Sequence, residues 1–141
     1  MNIQNVSKNE SKATVELSVD DLVIICNALY PQLTENKSKE NFLLLYSNMM
    51  MVRDLCQYDH VDNFCLHNIV KCRNSVGEGL NDIMLSRIKR VEVMGRLFAC
   101  TASLEEAKRN ANKLIDDIRH HNVQEVFEVC NPDHTIGVNH P

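Results

Sequence analysis

A chain of 141 residues, 44% apolar and 24% charged, has the make-up of one globular domain and is long enough to bury one core. A formal net charge of −4, with no basic arm and no acidic run, excludes generic attraction to nucleic acid. No apolar stretch nears bilayer-spanning length and residues 1–12 lack an apolar signal segment, so the expected location is cytoplasmic, away from membranes.

Met1 to Lys12 is polar and unpatterned and reads as a disordered lead, with residues 13–141 forming a single globular domain. Ala13 to Leu17 alternates weakly, as a short strand would. Ser18-Val-Asp-Asp21 then starts a helix, because a serine hydroxyl caps orphan amides and carboxylates suit the positive first turn. Val19, Leu22, Val23, Ile25, Cys26, Leu29 and Leu33 give this helix its apolar face. Pro31 lacks the amide hydrogen that the next turn needs, so the regular helix ends near Tyr30.

Ser38 is the expected cap of the second helix. Phe42, Leu45, Met49, Val52 and Cys56 recur at near-heptad spacing, and Leu44, Met51 and Leu55 form a second row. A helix apolar on two sides is either central in the core or covered by another subunit. In so short a chain, Phe42, Leu45, Met49 and Val52 are the expected seam of a homo-oligomer. Asp59 can cap a third helix, with Val61, Phe64, Cys65, Ile69 and Cys72 on its inner side and its end near Asn74. Two glycines at 77 and 79 place a loop over Ser75–Gly79, before a short helix at Leu80–Ser86.

From Arg87 to Arg119 the hydrophobic period changes from two to about 3.6. Val91, Val93, Leu97 and Ala99 alternate with polar and larger residues, which predicts a strand over 88–100. The competing helix uses Met84, Ile88, Val91, Met94 and Phe98. Ser103-Leu-Glu-Glu106 is a capping box, followed by Leu104, Ala107, Ala111, Leu114, Ile115 and Ile118 at helical spacing. Val123 to Val129 alternates again and predicts a second strand. The fold expected is α+β and helix-dominated: three N-terminal helices, then a small C-terminal sheet covered by one helix. An all-α bundle is the alternative.

The chemistry-bearing residues are scattered. Cys56, His60, Cys65 and Cys72, and separately Cys130, His134 and His140, lack the spacing of a zinc site, so no metal and no cofactor is implied. The six cysteines lie mostly among Ile, Leu, Val and Phe, as buried reduced thiols do. No nucleophile elbow or phosphate loop is present. The basic set is more suggestive. On a strand, Arg90, Arg96 and Phe98 share one side, where guanidinium groups pair with a phosphate and a ring stacks a base. Arg87, Arg109 and Lys113 complete this candidate ligand-binding set.

The sequence therefore reads as a small non-catalytic binding protein that associates with itself, with another protein as a further candidate partner. One alternative is a phage- or mobile-element-type protein that sequesters an anionic nucleotide or blocks a host factor. Another is a small thiol- or metal-dependent enzyme.

Overall fold

The computed structural model describes residues 1–36 and 38–120, a helix-dominated chain with one two-stranded antiparallel sheet. That sheet lies at the N-terminus. Strands β1 (Asn2–Ser7) and β2 (Lys12–Glu16) form a hairpin in which Ile3 opposes Val15 and Val6 opposes Ala13. The reading of residues 1–12 as disordered is thus corrected. Ser11 adopts φ 54° at the turn, and an irregularity between Ile3 and Asn5 shifts the register, which hides the two-residue period from a sequence reading.

Helix α1 (Val19–Leu29) begins with a complete capping box between Ser18 and Asp21. Its regular turns stop before Pro31, which sits in a 3₁₀ turn, Tyr30–Gln32, that runs into the short α2 (Leu33–Asn36). Helix α3 (Glu40–Gln57) starts after Lys39, which makes no side-chain cap, so Ser38 does not serve as one. Helix α4 (Asn63–Leu80) is capped by Asp62, whose carboxylate accepts from the Cys65 amide at 2.9 Å; the cap expected at Asp59 falls three residues early. Asn81 adopts φ 69° and caps α5 (Asp82–Ser86).

The loop expected at Ser75–Gly79 is helix instead, because its glycines serve close approach. A Cβ at Gly77 would collide with the Asp82 carboxylate, and one at Gly79 would collide with Ile115 of α7 (Leu104–Arg119). Residues 90–98 correct the expected strand: they form α6 (Arg90–Phe98). Val93, Met94 and Leu97 are buried while Val91 is 68% exposed, which is helical spacing. Burial against α4 and α7 overrides the β preference of two valines. The strand expected at 123–129 lies outside the described residues.

Two apolar clusters organise the helices. The larger joins Met51 of α3 to Ile69, Cys72 and Val76 of α4, Leu97 of α6 and Ala107, Ala111, Leu114 and Ile118 of α7. The smaller packs Cys26 and Leu33 against Leu43, Tyr46 and Met50 of α3. Adjacent methionines thus serve different clusters, since successive helical residues point about 100° apart. Helix α3 is the shared central element, as its two apolar rows imply.

Candidate functional site

The end of α3 and the outer side of α6 enclose an open groove of about 470 Å³. Arg53, Asp54, Gln57 and Tyr58 line it from the first element. Arg90, Val91, Met94, Gly95 and Phe98 line it from the second, at the 3–4-residue spacing of one helical side. At one end Asp54 is shared by two arginines: Arg53 donates from Nη2 at 3.0 Å, and Arg90 Nε lies 3.0 Å from the other carboxylate oxygen. Two guanidinium groups on one carboxylate leave that end electropositive. At the other end the rings of Tyr58 and Phe98 stack with centroids 3.7 Å apart and planes 14° from parallel. A Cβ at Gly95 would have nothing within 4 Å, so the groove floor stays open there.

This geometry redistributes the basic residues singled out in the sequence. Arg90 and Phe98 do line one groove, roughly 80° apart around α6. Arg96 lies roughly 120° from Arg90, where strand alternation would have aligned the two. Its guanidinium bonds Asp117 of α7 and reaches Glu92 at 3.4 Å, outside the groove. Arg87 pairs with Glu40 at 3.0 Å. Arg109 and Lys113 are exposed on α7, away from its buried Ala107–Ile118 side. Arg53, Asp54 and Tyr58 escaped the sequence reading because they belong to a helix some 35 residues upstream. Gly95 was the available signal: a glycine inside a helix weakens it unless the space matters.

The expected seam residues also separate. Phe42 and Met49 pack against the smaller cluster, while Leu45 and Val52 remain 49% and 42% exposed. The most buried row of α3 is instead Leu43, Tyr46, Met50 and Arg53. The inward row is thus neither of the two read from the sequence, of which Met51 alone is buried.

All five described cysteines carry free thiols. Cys26, Cys72 and Cys100 are buried, Cys65 is half-buried and Cys56 is exposed, which corrects the expected core position of Cys56. Burial pushes the Cys26 thiol up, and the Asp62 carboxylate does the same for Cys65. Among the described residues no three His, Cys, Asp or Glu side chains converge as a metal site. None of the described helices is long and apolar enough to cross a membrane. No known protein family, curated protein or solved structure matches the chain.

Proposed function

We propose that the chain is a non-catalytic binding protein of the cytoplasm whose α3–α6 groove takes a small planar anion of the nucleotide class. One observation carries this reading: an arginine whose pairing among the described residues is through Nε to Asp54, and a stacked aromatic pair, line the same groove. The remaining guanidinium N–H groups suit phosphate or carboxylate oxygens, and an outer ring face of the stacked pair suits a base. The volume falls within the roughly 300–1,000 Å³ of small-molecule sites.

The test is a thermal-shift and calorimetric screen of nucleoside phosphates. Binding should weaken with salt, and Arg90→Ala should cost about 1.5–3 kcal/mol of it. Gly95→Leu should abolish binding by filling the floor while leaving the fold intact, since leucine is the better helix former. Arg96→Ala should leave affinity unchanged, because Arg96 is held by Asp117 and Glu92. A panel without any shift at millimolar concentration defeats the reading, as does Gly95→Leu binding like the parent.

Self-association belongs to the same proposal. Leu45 and Val52 stand seven residues apart on one exposed side of α3, a ridge that a second copy can cover. Light scattering that gives a monomer at high concentration removes this part and leaves the groove untouched.

A further inference from the structure

The larger core is aliphatic except at one place, where Cys72 of α4 and Cys100, just after α6, bring their sulfurs within 3.4 Å. Both are buried, at 2% and 0% exposure. The Asn110 side-chain amide of α7 donates to the Cys100 sulfur at 3.3 Å. One turn before Cys72 on the same buried side of α4 sits Asn68, fully buried, with neither its amide nitrogen nor its oxygen hydrogen-bonded among the described residues. An orphaned donor and acceptor inside a core is costly unless a small polar guest satisfies them. This placement is not that of two unrelated core thiols, which need no amide beside them.

We propose that Cys72 and Cys100 form a buried dithiol site that a small hydroperoxide oxidises to an internal disulfide, with Asn68 and Asn110 as its polar lining. Cys100 is the attacking sulfur. The Cys100 thiol donates to the Cys72 sulfur at 3.4 Å and to the Arg96 carbonyl at 3.5 Å, and the Asn110 amide donates to the Cys100 sulfur, so once the Cys100 proton leaves an N–H is already in place to hold its thiolate. The Cys100 thiolate attacks one peroxide oxygen. A sulfur–oxygen bond forms, the oxygen–oxygen bond breaks, and the sulfur loses two electrons to the peroxide, whose other oxygen leaves as an alkoxide or hydroxide and takes up a proton. The Cys72 sulfur then gives up its proton and attacks the Cys100 sulfenic acid. The disulfide forms as the sulfur–oxygen bond breaks, and hydroxide departs with that proton as water. Two thiols and one hydroperoxide thus yield one disulfide, one alcohol or water, and one further water. A disulfide requires the two sulfurs to close from 3.4 Å to about 2.05 Å.

The experiment treats the native full-length protein with hydrogen peroxide, then quenches, denatures and analyses it by intact mass and peptide mapping. The expected result is a loss of about 2 Da and a single cross-linked peptide joining Cys72 to Cys100. Cys72→Ser should instead accumulate a sulfenic acid at Cys100, trapped by dimedone, whereas Cys100→Ser should leave Cys72 unmodified. Asn110→Leu should slow disulfide formation about tenfold in otherwise wild-type protein, a readout that survives if the cysteine variants do not fold. No mass loss, a cross-link mapped only to exposed Cys56, or an adduct on Cys72 in Cys100→Ser overturns the proposal.

Discussion

The body formed by α4 to α7 and the N-terminal part from the hairpin to α3 are stabilised by different means. Among the described residues the body contributes fourteen of the fifteen buried apolar side chains of the larger cluster, Met51 of α3 being the other, whereas the smaller cluster of the N-terminal part has five. The second compensates with polar contacts at its edge: the Ser18–Asp21 capping box and an ion pair at 2.8 Å between the Met1 ammonium and Asp21. The hairpin adds no buried apolar residue, and a lone two-stranded sheet is marginal in water. Apolar burial scales with area and resists local opening, whereas exposed polar contacts give little. The N-terminal part should therefore open at lower free energy than the body, and α3 couples the two because Met50 and Met51 belong to different clusters.

The sharpest way to break this contrast is a pair of cavity substitutions. Leu97→Ala, at the fully buried centre of the larger cluster, should cost close to the upper end of the roughly 2–5 kcal/mol range for such changes. Leu43→Ala, in the smaller cluster, should fall near the lower end, because a cluster of five can relax around the loss. Urea melts give both numbers, and an inverted order would mean that the smaller cluster governs stability.

A smaller effect tests the body from its edge. The Ser103 hydroxyl accepts from the Glu106 amide at 3.1 Å and opens α7, whose buried side completes the main cluster. Ser103→Ala should cost about 1 kcal/mol in global stability, since α7 cannot fray without exposing that cluster. A loss confined to local fraying, with an unchanged melt, would show α7 to be less integral than its packing implies.

The weakest effect distinguishes the two parts by pH. The Met1 ammonium, then the Ser18 amide, hold the Asp21 carboxyl below its ordinary 3.8. A carboxyl depressed in the folded state adds stability above its unfolded pKa and loses it as pH falls through the folded one. Acid below about pH 4 should thus loosen the hairpin and α1 first. Asp62, depressed by the Cys65 amide, carries the same signature at the start of α4, whereas the Ser103 cap of α7 does not titrate. Amide hydrogen-exchange protection, followed by NMR from pH 6 to 2, should change first at residues 18–22 and 62–66 while residues 107–111, on the buried side of α7, hold. Uniform change across all three would remove the electrostatic contrast.

Local signals that rest on one or two neighbouring residues were legible in the chain itself: the caps at Ser18 and Ser103, the helix end enforced by Pro31, and the strand character after Ala13. Each depends on bonds or sterics within about four residues, so periodicity and capping chemistry report it directly. Residues 88–100 and 75–79 needed the tertiary structure. Two valines favour a strand in isolation, and only burial of Val93, Met94 and Leu97 against α4 and α7 selects a helix. Gly77 and Gly79 resemble a loop until Asp82 and Ile115 fill the space where their side chains would lie. The candidate site divides in the same way. Arg90 and Phe98 could be named from composition and spacing, but their meeting with Asp54 and Tyr58, and the approach of Cys72 to Cys100, depend on how separate helices pack, which one-dimensional periodicity does not encode.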